Sequence, residues 1–210
     1  MHNHVKAKTV TGVYGGSFNP IHTGHTAMAR QLVSTGMVDE LWLVVSPQNP
    51  LKNNASLWDD ELRLALARQA VSDIDRVEVS DIEFGLPRPS YMADTLQALE
   101  RRYPEREFVL VIGRDNWVIF DHWYHWQEIL DNYAVIVLPR SQQRENVPDE
   151  EGFAERRGDV RFAQFPLVDM SSTWIRQQIE TNPRYEGQGL TDEVWRQIRQ
   201  AKEQGILSTR

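Results

Sequence analysis

The sequence contains no cysteine, which removes disulfides and thiolate metal sites and leaves no redox evidence for a compartment. No stretch approaches the roughly 18 uninterrupted apolar residues of a membrane-spanning helix. No apolar run follows the start, Met1 to Lys6, so a secretory signal is not expected and the cytoplasm is the default compartment. Positive charge is in short supply: 23 Lys and Arg against 30 Asp and Glu, a net charge of −7. A general nucleic-acid binder usually carries a basic stripe, and this chain is not expected to be one. A small phosphorylated ligand stays allowed, because it needs a local pocket of donors rather than a basic protein. What is present, 40 % apolar and 25 % charged residues over 210 positions, suits one globular domain with a substantial core and is short for two.

Short β-rich runs alternate with helical patterns, which predicts an α/β fold of the Rossmann-like, doubly wound kind with a parallel sheet. The predicted strands are Thr9–Tyr14, Leu41–Ser46, Val77–Ser80, Phe108–Gly113, Ala134–Leu138 and Val160–Phe165. Several are nearly continuous apolar stretches, as expected of strands covered on both faces. The predicted helices are His25–Ser34, stopped by Gly36; Asp59–Val71, with Ser56 as a capping signal; and Tyr91–Tyr103, capped by Ser90 and ended by Pro104. Ser172–Glu180 and Asp192–Gln204 read as amphipathic and form a small helical C-terminal addition. Pro139–Asp159 is polar and charged and reads as a surface excursion between the last two strands. No internal repeat or linker divides the chain, so residues 1–210 are expected to form a single domain.

The most informative segment is Gly15-Gly16-Ser17-Phe18-Asn19-Pro20-Ile21-His22-Thr23-Gly24-His25. It follows a predicted strand and opens a helix, the place where open α/β sheets bind ligands. Gly15 and Gly16 let the backbone approach a ligand with no Cβ in the way. His22 and His25, three apart, share one face of a first helical turn. No Gly-Lys-Ser/Thr follows, so this is not a Walker A loop, and the glycine spacing is not that of the dinucleotide fingerprint. What remains is a pair of imidazoles beside a helix N-terminus, where partial positive charge and free N–H groups favour phosphate. Two readings compete: structural histidines at a turn, and a metal pair, since His22/His25 and His122/His125 both have HxxH spacing. The lack of cysteine and of an HExxH motif weighs against the metal.

That segment resembles the GxFxPxHxGH signature of the HxGH nucleotidyltransferase superfamily. A second hallmark, similar to the superfamily's ISSTxIR, is Met170-Ser171-Ser172-Thr173-Trp174-Ile175-Arg176. Hydroxyls and N–H groups at a helix N-terminus, with a guanidinium on the first turn, form a cradle for pyrophosphate oxygens; helix capping by Ser171 or Ser172 is compatible with that. Ser90-Tyr91-Met92-Ala93-Asp94-Thr95-Leu96 is similar to the SYxxxTL segment of nicotinate mononucleotide adenylyltransferases. Gly113-Arg114-Asp115-Asn116 and the later Trp123 resemble that family's GxD and the Trp that comes after it. Pro47-Gln48-Asn49-Pro50-Leu51-Lys52 matches its substrate loop less closely.

The resemblance implies an enzyme in which the 5′-phosphate of a mononucleotide attacks the α-phosphorus of ATP directly and pyrophosphate leaves. It assigns His22, His25 and Arg176 to catalysis. It assigns Gly15, Gly16, Ser17, Phe18, Gly24, Ser171, Ser172, Thr173, Gly113 and Asp115 to ATP, with Asp115 on the ribose hydroxyls. Asn19, Lys52, Tyr91, Thr95 and Trp123 fall to the mononucleotide: Tyr91 and Thr95, four apart on a helix, would present hydroxyls, and Trp123 would stack on the pyridine ring. A core role competes for Trp123, which shares its stretch with Trp117 and Trp126. Mg2+ is expected on the ATP phosphates, with no protein side chain as ligand. The expected partners are ATP and nicotinic acid mononucleotide, the acid being favoured over the amide because the chain looks like the compact bacterial form; a homo-oligomer is admitted, nucleic acid and membrane are not. Pantetheine-phosphate adenylyltransferases share both hallmarks but are usually shorter and lack the Tyr91/Thr95 and Asp115/Trp123 pattern. A catalytically silent nucleotide sensor is the competing class, and intact His22, His25 and Arg176 speak against it.

Overall fold

The computed structural model describes residues 7–48, 57–139 and 158–207. Six strands, β1 (Thr9–Gly16), β2 (Glu40–Val45), β3 (Val77–Ser80), β4 (Arg106–Gly113), β5 (Ala134–Leu138) and β6 (Val160–Phe162), form one sheet in the order β3-β2-β1-β4-β5-β6. Every neighbouring pair runs parallel. The chain winds outward from β1 to β3, returns to the far side of β1 as β4, and winds outward again. The sheet therefore reverses direction between β1 and β4, and a crevice opens at their carboxyl ends, where such sheets bind ligands.

The helices are α1 (Thr23–Ser34), α2 (Asp60–Val71), α3 (Met92–Arg102), α4 (Arg114–Val118), α5 (Trp126–Asn132), α6 (Ser172–Thr181) and α7 (Asp192–Glu203), with 3-10 turns at Ile82–Gly85 and Phe120–His122. They cover both faces of the sheet, which explains the continuous apolar strands. Along β4, Val109 and Val111 join a core cluster with Leu32 of α1, Leu66 of α2, Ile175 of α6 and Ile198 of α7. Phe108, Leu110 and Ile112 point the other way and join Leu96 of α3, Trp117 of α4 and Ile129 of α5. Alternate strand residues face opposite sides, so a strand buried on both needs apolar residues at every position. Each Leu or Val buried this fully contributes about 1.5–3 kcal/mol relative to exposure.

The differences from expectation lie at element ends. α1 starts at Thr23 rather than at His25, with His22 in the cap position. Asp59 caps α2, its side chain accepting from the N–H groups of Glu61 and Leu62; Ser56 lies outside the described residues. Tyr91, not Ser90, occupies the cap position of α3, and no side chain bonds there. Ser90 is instead tied through its own N–H to the carbonyl of Gln48. β6 stops at Phe162 because it is an edge strand that pairs only with Val135–Val137. The central part of the expected excursion, residues 140–157, lies outside the described residues. No helix among the described residues is long and apolar enough to cross a membrane.

Candidate active site

At the carboxyl end of β1 the chain turns tightly toward α1. A Cβ on Gly15 would sit 2.5 Å from the terminal methyl of Met92, and one on Gly16 3.0 Å from the Phe18 ring, so a side chain at either position would make these neighbours shift. Phe18 has φ +42, an outlying conformation for a bulky residue. Burial holds it there: it is 3 % exposed and its ring lies edge-on to His25, centroids 5.1 Å apart. Ser17 and Asn19 are buried as well. The Asn19 side-chain oxygen accepts from the N–H of Trp58. The Phe18 ring thus packs against His25, while the buried Asn19 side chain is tied to Trp58.

The two histidines are arranged as a unit. The backbone N–H of His22 donates to Nδ1 of His25 at 3.2 Å, so in the neutral His25 ring the proton resides on Nε2. The rings stack with centroids 3.7 Å apart and planes 24° from parallel. His22 is 8 % exposed, and burial, partly opposed by its own backbone hydrogen bond, pulls its pKa down from 6.5 to about 4. His22 is therefore neutral at pH 7, which spares the stack a charge–charge repulsion.

This arrangement links stability to pH. An unfolded chain takes up a proton at an ordinary histidine as pH falls through 6.5, whereas folded His22 does so only near 4. His22 thus leaves stability untouched above 6.5 and lowers it between 6.5 and 4, by on the order of 3 kcal/mol in all. Urea unfolding at pH 7 and pH 4.5 is expected to show this slope in the wild type and a shallower one in His22→Asn. Equal slopes in the two proteins would remove His22 from the account.

The second motif docks on the first. Ser171 caps α6, its hydroxyl accepting from the Trp174 N–H at 3.4 Å. The Ser172 hydroxyl donates to the carbonyl of Pro20 at 2.9 Å, and Arg176 Nη1 donates to the carbonyl of Asn19 at 2.6 Å. Gly24 is needed at this junction, since a Cβ there would lie 2.9 Å from the carbonyl oxygen of Val168 and 3.0 Å from the His22 ring. The mouths of α1 and α6 consequently open on one cleft of about 660 Å3, whose lining includes His22, Gly24, His25, Gly113, Asp115 and Ser171 to Thr173. A Cβ on Gly113 would meet no atom within 4 Å; the backbone there borders open space. Arg176 lies behind this wall, half-buried, and burial lowers its pKa against the favourable charge of Glu180.

A smaller hollow of about 120 Å3 adjoins the cleft at Asn116, which borders both. Gly15, Gly16, Tyr91, Trp123 and Tyr124 line it, with Ser46, Glu83 and Ser90. The Trp123 ring rests on Phe120, and Tyr91 packs on Tyr124 at 4.7 Å. Thr95 is not part of this lining. It is fully buried and its hydroxyl lies 2.9 Å from Oε1 of Glu83 and 3.1 Å from the carbonyl of Tyr91. The reason is helical phase: α3 begins after Tyr91, and Thr95 falls with Ala93, Leu96 and Leu99 on the buried face. Lys52 lies outside the described residues.

Two residues absent from the motifs shape this region. Arg63 on α2 is fully buried. Its Nη1 donates to the carbonyls of Ser17 (2.5 Å) and Ser46 (2.8 Å), its Nε to that of Trp58, and its Nη2 to the carboxylate of Asp60. It ties the turn after β1 to the end of β2. A signal existed: Arg63 stands on the helical stripe of Leu64, Ala67, Ala70 and Val71, where a charge is out of place. Glu83 is the other, and nothing in Ile82-Glu83-Phe84 marks it.

The profile of the cytidylyltransferase-like family matches residues 13–178. A protein of Bacteroides fragilis described as a probable nicotinate-nucleotide adenylyltransferase is 46 % identical over 83 % of this chain and 84 % of its own length. One of Bacteroides thetaiotaomicron with the same description is 43 % identical over 95 % of each. Among solved structures, a Plasmodium falciparum nicotinic acid mononucleotide adenylyltransferase complexed with NaAD superposes with a TM-score of 0.73, covering 96 % of this chain and 98 % of that one at 15 % identity. At that identity the likeness is one of fold. The bacterial relatives carry the likeness along most of the sequence, and by them the chain belongs to the nicotinate-nucleotide adenylyltransferase family.

Proposed function

We propose that this enzyme transfers the adenylyl group of ATP to nicotinic acid mononucleotide, forming nicotinic acid adenine dinucleotide and pyrophosphate. One observation carries the reading: an open, polar cleft below two helix N-termini adjoins a small aromatic hollow, and the two meet at Asn116. ATP fits the first and a pyridine ring the second, so the 5′-phosphate of the mononucleotide falls near the boundary.

In this arrangement a mononucleotide phosphate oxygen bonds to the α-phosphorus while the bond from that phosphorus to the bridging oxygen breaks. The electron pair leaves with pyrophosphate. The protein supplies position and charge rather than a covalent partner. His25, with its proton on Nε2, donates to an α-phosphoryl oxygen as charge builds there. His22 stays neutral and fixes the His25 tautomer through its backbone N–H. The N–H groups at the mouths of α1 and α6 receive phosphate oxygens, helped by Ser171, Thr173 and the nearby charge of Arg176. Asp115 accepts from ribose hydroxyls, and Trp123 stacks on the pyridine ring. Mg2+ would enter with the triphosphate and neutralise the leaving group. Both substrates are water-soluble phosphates, and the cytoplasm is the compartment proposed.

The test is pyrophosphate release from ATP with three acceptors offered separately: nicotinic acid mononucleotide, nicotinamide mononucleotide and phosphopantetheine. The acid is expected to give the highest kcat/KM, with phosphopantetheine lower by a factor on the order of a hundred or more, because a flexible chain gains little from a hollow walled by Trp123 and Tyr124. Comparable turnover of phosphopantetheine, or no pyrophosphate with any acceptor, would sink the proposal.

A further inference from the structure

We infer that Glu83 is the counter-charge of the pyridinium ring: a buried carboxylate that makes the small hollow select a mononucleotide whose ring is cationic. The inference deepens the function proposed above and rests on it. Glu83 is 2 % exposed and lines the hollow together with Trp123 and Tyr124. Carboxylates buried to this degree are nearly always paired with a cation. Here the bonds are to neutral groups. The Ser46 hydroxyl donates to Oε2 at 2.5 Å, and Oε1 lies 2.9 Å from the Thr95 hydroxyl. Among the described residues no Lys, Arg or His forms an ion pair with it.

Hydroxyls orient a carboxylate without cancelling its charge. The charged and titratable groups on the surrounding elements do not cancel it either. Asp81 on its own turn is paired with Arg68. Arg63 stands behind Ser46 and directs its donors to carbonyls and Asp60. α3 contributes Asp94, with Tyr91 at its cap, and His122 faces the hollow from the 3-10 turn after α4. Burial raises the pKa of Glu83 against the pull of the Ser46 and Thr95 hydroxyls, the direction expected of a carboxylate that lacks a cation. ATP and the mononucleotide phosphate are anionic throughout. The quaternised ring nitrogen is the one cationic group the substrates bring, and the aromatic hollow is where it would lie. Away from water, opposite charges attract far more strongly than on a surface.

Nicotinic acid mononucleotide and its 1,4-dihydro form share phosphate, ribose and carboxylate and differ in ring charge. Dissociation constants for both are measured by calorimetry on the wild type, Glu83→Gln and Glu83→Asp, once wild-type turnover of nicotinic acid mononucleotide has been established. Glu83→Gln is expected to weaken binding of the cationic form by a factor on the order of ten and to leave the dihydro form within about twofold. Glu83→Asp, which keeps the charge, is expected to retain the preference. A merely structural Glu83 would weaken both ligands alike, so an unchanged ratio in Glu83→Gln overturns the inference. Trp123 also favours a cation through its ring face, and Trp123→Leu provides a check that does not depend on Glu83→Gln folding. The preference should survive in that variant, and its complete loss would assign it to Trp123 instead. Failure of the wild type to use any pyridine mononucleotide is a separate result, which removes the proposed function itself.

Discussion

His25→Ala is expected to lower kcat by about 10²–10³-fold while the protein stays folded. Removing one preorganised donor from the charge that develops in a transition state costs about 3–4 kcal/mol. His25 is well prepared for that role. Its Nδ1 is occupied by the His22 N–H, its ring is stacked on His22 and edge-on to Phe18, and Nε2 is left carrying the proton. The structural cost is small by comparison. The main loss to folding is the acceptor for one backbone N–H, worth about 0.5–1.5 kcal/mol. Steady-state kinetics beside a thermal melt separates the two effects. A variant with wild-type turnover would exclude His25 from the chemistry, and a variant that lost activity only by unfolding would make it a structural residue.

The second large effect is on stability. Arg63→Ala is expected to cost about 3–5 kcal/mol, as when one partner of a buried charge pair is removed. The loss has three parts. The carbonyls of Ser17, Ser46 and Trp58 lose their donors, a cavity opens where the side chain stood, and Asp60 keeps, among the described residues, only the ion pair with Arg88. Arg63→Lys should recover little, since an ammonium cannot repeat the planar fork that reaches two loops at once. Denaturant unfolding measures both variants. Losses within about 0.5 kcal/mol, the range of ordinary surface substitutions, would mean that the guanidinium network contributes little. Because Arg63 joins the turn after β1 to the end of β2, Arg63→Lys is also expected to raise KM for the mononucleotide.

Which parts of this structure were readable beforehand follows from the range of the interactions involved. β4 was readable because every residue of Phe108–Ile112 is apolar, a local pattern that double burial requires. α4 and α5 were not: they span five and seven residues, too few for a helical period to emerge among Trp, Phe and His. Caps were misjudged where neighbours competed, as when Ser90 turned to Gln48 and left the cap of α3 to Tyr91. The two hallmark motifs were visible as residue strings, but the bonds that unite them are not local: Ser172 reaches Pro20 across 152 positions and Arg176 reaches Asn19 across 157. Thr95 shares the buried face of α3 with Ala93, Leu96 and Leu99, while Tyr91 precedes the helix, so the two do not point the same way as an i, i+4 pair would. Glu83 became visible only when the chain brought β2 and α3 to either side of it.

The shared border at Asn116 also bears on how a reaction cycle ends. On the proposed placement of the substrates the dinucleotide is the covalent union of the two occupants and would be gripped at both ends. When one end lets go, the other keeps it at an effective concentration in the millimolar range, and recapture is fast. Pyrophosphate has no such tether. It is expected to depart first, with the joined molecule the slower of the two products to leave.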